Sequence, residues 1–516
     1  MKHVSPEDLQ KSFVDSLKNP SEDIARSILV SAGMSPAQID VLAKNISTGT
    51  GLVAYDLQAP AKNLYPVYCP IRNQLPRIGG GIGTATNWRA VMAIMGSGFD
   101  ASGWVPEGQR AGQMSYQTAN RSASYVTIGE EDAATFEAIS AGRTFEDIQA
   151  RMTMRLLQKV FLKEEMGLMW GNNSAALGTT PTPTTSASGS GTSLGVATLS
   201  VICIALTGEG YFNSSVAGGV GTVKTVTGAD GKTFTLNGGA AQKSAAASQA
   251  VTAGQHLFAT VNSVQGAVGY AWFWGVAGSE VLGAITTINS VDIKAAATGT
   301  QTAASIAAAD YSTNSLAYDG LFTTAAKTGS GAYVQALASG TAGTGSTLTA
   351  TGKGSVAEID QMMQTMWDLY QVSLSEIWVN SQELKNITTK VISNGAGGSL
   401  INYFQDPKAG EFILSAGGVV EFYYNPFMAP GAGRRIPINI HPKVPPGTIV
   451  GWAKDLPIQY QSNEVPNVAE VKTRQDYYQI DWPITTRQRQ VGVYSEQALA
   501  VYAPFAMGAI TNIANG

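Results

Sequence analysis

Charge is spread unevenly along this chain, and the unevenness divides it. Residues 173–354 hold six lysines, no arginine and six carboxylates, together with about half of the 57 glycines. Such a shift marks an inserted module or a linker. Its edges, GTTPTPTTSASGSGTS (Gly178–Ser193) and SGTAGTGSTLTATGKGS (Ser339–Ser355), offer little to pack. Between them Val196–Leu206, Thr222–Thr227, Lys232–Leu236, Leu257–Val264, Val268–Gly275 and Val281–Ile288 read as strands, and Asp230-Gly231 as a hairpin turn. Val268, Tyr270, Trp272 and Trp274 alternate with Gly269, Ala271 and Phe273, a period of two with an aromatic face. Short strands in this number predict a β-sandwich.

The flanking parts have another character. Residues 1–46 read as short helices: Ser5 is an N-cap before Pro6, Glu7 and Asp8, and Ser35-Pro36 repeats the pattern ahead of Ile39, Leu42 and Ala43. No period holds from Thr48 to Gly83, where Pro60, Pro66, Pro70 and Pro76 break helix and central strand alike, so this stretch is expected to lie extended along another surface. From Gly83 to Glu130, Trp88–Met95 and Ala123–Ile128 are β-prone and Gly96, Gly98, Gly103, Pro106 and Gly108 punctuate them. The pattern predicts a long two-stranded ribbon, which is marginal in water and needs a neighbouring surface.

The strongest helix signal follows. Thr144 and Asp147 have capping-box spacing, and Phe145, Ile148, Met152, Leu156 and Val160 recur at helical intervals before a stop at Gly171. The rod would be roughly 35–40 Å long. Further on, Ser355 and Glu358 suggest a second capping box, with Ile359, Met362, Met363, Met366, Leu369 and Tyr370 on one face. Glu376–Asn380 reads as a strand and Ser381 as the cap of the next helix. Strands are expected at Val419–Tyr424, Thr448–Ala453, Tyr477–Pro483, Arg487–Tyr494 and Ala498–Ala503. Outside the insertion the chain is α+β.

Chemistry is sparse. A net charge of −4 with 14% charged residues does not make the concentrated Lys/Arg surface that phosphate binding needs. Cys69 and Cys203 make no disulfide framework, and His3, His256 and His441 are too scattered for a zinc site. The N-terminus shows no apolar signal region, and the apolar run at 196–206 is about half the ~20 residues of a membrane span. RIGGGIGTAT (Arg77–Thr86) lacks the Lys-Ser/Thr of a P-loop and reads as a hinge. No nucleophile elbow and no HExxH are read. Glu130-Glu131-Asp132 and Glu164-Glu165 are taken as solvated faces, because adjacent helix positions point apart. Asn172-Asn173-Ser174 fits a glycosylation sequon without a secretory context, and Arg434-Arg435 is weak as a phosphate contact. No catalytic, cofactor or metal residues are assigned, and no enzyme is expected.

The order of parts carries a resemblance. SYVTIGEEDAATFEAISAGRTFEDIQARMTMRLLQKVFLKEEMGLMWGN (Ser124–Asn172) looks like the return of an E-loop into a P-domain spine helix of the HK97-like major capsid proteins of tailed bacteriophages. LAYDGLF (Leu316–Phe322) resembles the family's turn toward the A-domain. SVAEIDQMMQTMWDLYQVSLSEIWVNSQELKNI (Ser355–Ile387), VVEFYYNPFMAPG (Val419–Gly431) and GTIVGWA (Gly447–Ala453) are similar to A-domain elements. YYQIDWPITTRQRQVGVYSEQALAVYAPFA (Tyr477–Ala506) is similar to the strands that return to the P-domain. GAVGYAWFWGVAGSEVLG (Gly266–Gly283) resembles the central strand and turn of fibronectin-III or immunoglobulin-like domains.

The resemblance implies an α+β HK97-like fold with an all-β Ig-like insertion. Its parts would be a helical segment (1–46), N-arm (47–79), E-loop (80–130), spine helix (131–180), sandwich (181–312), A-domain with connecting segments (313–475) and return strands (476–516). It implies hexamers and pentamers tiling an icosahedral shell in a virion, assembled in the host bacterial cytoplasm. Portal and scaffold or cement proteins would be partners, double-stranded DNA would be enclosed but not specifically bound, and no membrane or cofactor would be involved. Trp88 and Trp104 are candidate inter-subunit anchors, since large aromatics dominate interfaces. One departure stands out: Gly80–Glu130 has no lysine, so the ribbon-lysine isopeptide bond of some family members is not expected. The alternatives are an encapsulin-type compartment and, in another class, a surface adhesin or carbohydrate-binding β protein.

Overall fold

The computed structural model describes Gly33 and residues 66–95, 103–143, 146–351, 354–393, 402–405, 412–415, 420–428, 435–456 and 467–514. The layered body and its insertion belong to one compact unit, Pro66–Ala141 with Asp147–Gly516. The expected N-terminal helices with Ser5 and Ser35, and Thr144, Phe145 and Arg434, lie outside the described residues.

The first layer is a four-stranded sheet in the order β1 (Arg77–Ile78), β21 (Ala469–Asp481), β22 (Gln488–Val501), β4 (Val126–Thr135). Ahead of it comes a short helix, α1 (Pro70–Gln74). β2 (Ala85–Met95) and β3 (Ser115–Ser124) make the expected ribbon, and α2 (Phe136–Gly142) follows β4. The spine helix α3 (Ile148–Trp170) has 23 residues, or about 34 Å at ~1.5 Å per residue. Asp147 is its N-cap, accepting from the amides of Gln149 and Ala150, both at 3.1 Å. It takes the capping role itself rather than the third position of a box started by Thr144, as a short acceptor side chain can. Met152, Leu156 and Val160, spaced by four, pack on Ala134 of β4 and on Val491 and Val493 of β22.

The second layer is a mixed six-stranded sheet: β14 (Tyr333–Ala336), β23 (Met507–Thr511), β20 (Ile449–Trp452), β15 (Glu376–Val379), β19 (Arg435–Ile440), β18 (Phe422–Tyr424). Helix α6 (Ala357–Tyr370) lays Ile359, Met362, Met363 and Met366 on it. Leu369, expected on that face, is exposed, and Tyr370 stacks on Phe505 at 4.8 Å. Both expected caps differ. Val356 occupies the N-cap of α6 with no side-chain cap, because Glu358 turns back to accept from Thr349 N and Ser355 donates to Thr351 O. Asn380, not Ser381, caps α7 (Ser381–Ser393), its Oδ1 accepting from Gln382 N at 3.1 Å. β16 (Asn402–Gln405) and β17 (Phe412–Ser415) form a separate hairpin.

The low-charge segment supplies two facing sheets. One runs β13 (Ser290–Ile293), β10 (His256–Thr260), β5 (Thr184–Ser188); the other runs β12 (Val281–Thr286), β11 (Gly269–Gly275), β6 (Ala197–Leu206), β9 (Ala247–Val251). Tyr270, Trp272 and Trp274 enter the core between the sheets with Cys203, Leu257 and Ile293. Ala271 and Phe273 enter a second core, closed by Val220, Ala303 and Ile306 from loops. Both faces of β6 and β11 are therefore buried, which explains runs as apolar as VICIAL and YAWFW. β7 (Val223–Thr227) and β8 (Thr233–Asn237) pair around Asp230-Gly231 as expected. Strands β5, β9 and β13 and helix α4 (Gly208–Phe212) are additions to the sequence reading. The Gly/Ser/Thr-rich edges pack after all: one contains β5 and buried Thr180, the other buried Leu348.

Candidate assembly surface

The arm is fastened by the residues that the sequence reading left in solvent. Glu164 and Glu165 are each 1% exposed. Cys69 gives α1 no side-chain cap, so Glu165 caps it from the spine helix, accepting from Ile71 N at 3.0 Å and Arg72 N at 2.7 Å. Buried His441 lies 2.9 Å from Glu165 through Nε2. Its Nδ1 accepts from Lys443 N at 3.0 Å, so Nε2 carries the hydrogen and donates to the carboxylate. Glu164 accepts from Arg72 Nε at 3.0 Å, from Arg77 and from the Tyr477 hydroxyl. Arg72 also lies 3.8 Å over the Phe161 ring, and Arg77 reaches Asp476 at 2.6 Å and Gln497 at 3.0 Å. Burial, and then the charge of Glu164, pushes the Tyr477 hydroxyl well above its usual range. Burial and Glu165 push the Cys69 thiol up to about 11, so it is a thiol and not a nucleophile.

Proline did not keep this stretch extended. Pro70 opens α1, where its missing N–H costs nothing. RIGGGIGTAT is not a free hinge either: Gly81 N donates to Thr473 O at 3.0 Å, and Arg474 Nη1 donates to Gly83 O at 2.9 Å. On β4, Glu130 pairs with Lys163 and Glu131 accepts from the Tyr494 hydroxyl.

The chain between Gly171 and Gly320 leaves and rejoins the body at one point. Gly320 N donates to Gly171 O at 2.8 Å; a Cβ at Gly171 would lie 2.5 Å from Tyr318 O, and one at Gly320 2.7 Å from Met169 backbone. Both positions need glycine for that approach. Asp319, in LAYDGLF, accepts from Asn173 N (2.8 Å), Ser174 N (3.0 Å), Ser174 Oγ (2.9 Å) and Lys327 Nζ (2.7 Å). Gly178 N reaches Asp310 at 2.8 Å, and buried Asn172, from the sequon, donates to Ser312 O at 2.7 Å.

Burial alone would raise the Asp319 carboxyl, but Lys327 and the two amides hold it below its usual range. A depressed carboxyl stabilises the fold above the unfolded-state pKa of about 3.9 and loses that effect as pH falls through its folded value. Asp319→Asn is therefore expected to lower the thermal midpoint at pH 7 and to narrow the gap from wild type below about pH 4. Parallel melting curves across pH check it; a constant gap would count against this carboxylate.

The sandwich and the body share a core. Asn512 Oδ1 accepts from Asn289 N at 2.7 Å, and Asn512 Nδ2 donates to Leu337 O at 2.6 Å. Asn289 Nδ2 donates to Val261 O at 2.6 Å and Ser339 Oγ at 2.8 Å. Val268 packs with Trp170, Tyr318 and Leu321. A Cβ on Gly208 would sit 2.1 Å from the Trp170 ring, so α4 presses its backbone on the end of the spine.

The ribbon is the opposite case. Ile82 is 88% and Trp104 92% exposed, and Val91, Met114 and Tyr116 are exposed too. Trp88, the other candidate anchor, is half-buried and meets Tyr502 edge-on at 5.3 Å. The two tryptophans thus separate: Trp88 seats the ribbon on its own sheet, while Trp104 stands exposed among the described residues. A cavity of about 780 Å³ lies at the ribbon's base, lined by Trp88, Val91, Lys327, Tyr502 and Phe505 among others.

Among the described residues no group of three His, Cys, Asp or Glu could hold a metal, and no helix is long and apolar enough to cross a membrane. GTSLG (Gly191–Gly195) does match the G-x-S-x-G string, but it lies in a loop before β6 and Ser193 Oγ donates to Lys294 O at 3.2 Å, so it is no elbow. Arg435 stands 5.9 Å from the Tyr424 ring.

No family model and no curated protein match the chain. Solved structures do. The chain is similar to the capsid of the native GTA particle, at 10% identity and TM-score 0.40, over 91% of this chain and 99% of that one. It is similar to the capsid of Myoviridae phage XM1, at 8% identity and TM-score 0.37, over 90% and 100%. A third is the holo-SrpI encapsulin complex from Synechococcus elongatus PCC 7942, at 8% identity and TM-score 0.37, over 92% and 95%.

Proposed function

We propose that this chain is the major head protein of a tailed-phage-type capsid. Copies grouped as hexamers and pentamers tile a closed icosahedral shell around packaged double-stranded DNA. The observation that carries the reading is the ribbon. Val91 and Tyr116 on its two strands, and Ile82, Trp104 and Met114 in the segments that flank them, are exposed on an element that cannot stand alone, set on a body with a spine helix and buried carboxylates. A second copy is the natural cover, because a closed symmetric assembly sums many modest contacts. The low charge of the chain suits a protein whose edges are interface. The two facing sheets between Gly178 and Asp310, whose chain ends meet there, support an Ig-like insertion over 181–312. The shell is built of protein alone, with no catalytic step and no specific DNA site.

Negative-stain images of the purified protein are expected to show closed hollow particles. Trp104→Ser is expected to cut particle yield at least tenfold while leaving the melting midpoint of unassembled protein within about 1 °C, because the residue is exposed among the described residues. Wild type that stays monomeric at high concentration would sink the proposal. Particles that carry protein cargo in place of nucleic acid would move it to the encapsulin reading.

A further inference from the structure

Four buried polar atoms without a protein partner belong to residues at the seat of α1 on the second sheet. They are Gln74 Oε1, Glu376 Oε2, Trp378 Nε1 and Trp452 Nε1. Glu376, Trp378 and Trp452 are 7%, 2% and 3% exposed. Glu376 and Trp378 are two apart on β15 and so share a face of the sheet. Trp452 on β20 is the register partner of Glu376, which brings their Cβ atoms to about 4.5–5.5 Å. Gln74 arrives from the arm, its Nε2 donating to Glu376 Oε1 at 3.4 Å. Lys454 completes the carboxylate's charge pairing on that same oxygen. The other oxygen, the amide oxygen of Gln74 and two indole N–H groups are left over.

Two acceptors and two donors remain, and this combination selects a ligand. A cation would meet two N–H donors, and an anion would meet a carboxylate. Each would leave half the set unsatisfied. A water molecule donates twice and accepts twice. Leaving such atoms bare costs about 1–3 kcal/mol each, whereas buried waters commonly make two to four bonds of this kind. We infer that one internal water is a fixed part of this protein, donating to Glu376 Oε2 and Gln74 Oε1 and accepting from the indoles of Trp378 and Trp452. It ties the arm to the second sheet, as Glu165 ties it directly to the spine. The inference is independent of whether the chain builds shells.

An experimental structure of the full-length protein, at a resolution that orders solvent, tests it directly. Density for one water within about 3.2 Å of at least three of the four atoms is the expected result. Density for none, or direct contact between an indole nitrogen and Glu376, overturns it. A second measurement gives a sign. With the water present, Trp452→Phe and Gln74→Met each leave it short of a partner and lower the thermal midpoint. If both substitutions hold or raise the midpoint, the atoms were simply unsatisfied and the inference fails.

Discussion

Excising residues 179–309 and closing Gly178 onto Asp310 with a short linker is expected to abolish cooperative folding, although the two ends already meet at 2.8 Å. Chain closure is not the obstacle. The sandwich contributes Val268 to the core of Trp170, Tyr318 and Leu321, and α4 covers the Trp170 ring. Removing a buried valine costs about 1.5–3 kcal/mol. The excision also strips Asn512 of both bonds to Asn289, at about 1–3 kcal/mol for each buried polar group left unpaired. Asn512 holds a left-handed backbone at φ 64° that those bonds help to fix. Against a total stability of roughly 5–15 kcal/mol these losses are decisive. Soluble yield, and the presence of a single calorimetric transition, are the readouts. A deletion variant that melts like wild type would show the sandwich to be an appendage and not a structural part of the body.

Glu165→Ala is expected to release the arm. It strands three buried donors at once: the amides of Ile71 and Arg72 and the Nε2 hydrogen of His441. A loss of about 3–5 kcal/mol follows from breaking such a set. Glu165→Gln keeps the size and one acceptor but turns an amide NH₂ toward donors, so it should recover only part. Limited proteolysis is expected to open sites within 66–78 in the alanine variant while the 148–170 helix stays protected. Equal protection of the arm in both proteins would mean that Ile71 and Leu75, buried in the core with Trp170, hold it without the carboxylate.

The long elements of the body and the central strands of the insertion were legible as element types because their signals are local, whereas β14, β19 and β23 of the second sheet were not read. The four-residue spacing of Met152, Leu156 and Val160 and the alternation of Tyr270, Trp272 and Trp274 depend only on helical and strand periods. Caps were less so. Asp147, Asn380 and unassisted Val356 took positions that neighbouring Ser or Thr matched equally well by spacing, and a cap is decided by which acceptor the chain direction brings to the open amides. Strands β5, β9 and β13 escaped because TTSAS, ASQAV and SVDI are short and mix polar with small or apolar residues; each becomes a strand only through a partner far along the chain.

The arm clasp shows the division most clearly. By itself the sequence determined that a ribbon, a rod-like helix and a low-charge β insertion would follow one another. It also placed Trp88 and Trp104 on the ribbon, with nothing to tell them apart. Only the tertiary structure decided that Trp88 would lean on Tyr502 while Trp104 stood clear, and that Glu164 and Glu165 would go inside. The reason is physical: a carboxylate is buried only where donors converge on it, and those donors come from residues 71, 72, 77, 441 and 477, which no local period connects.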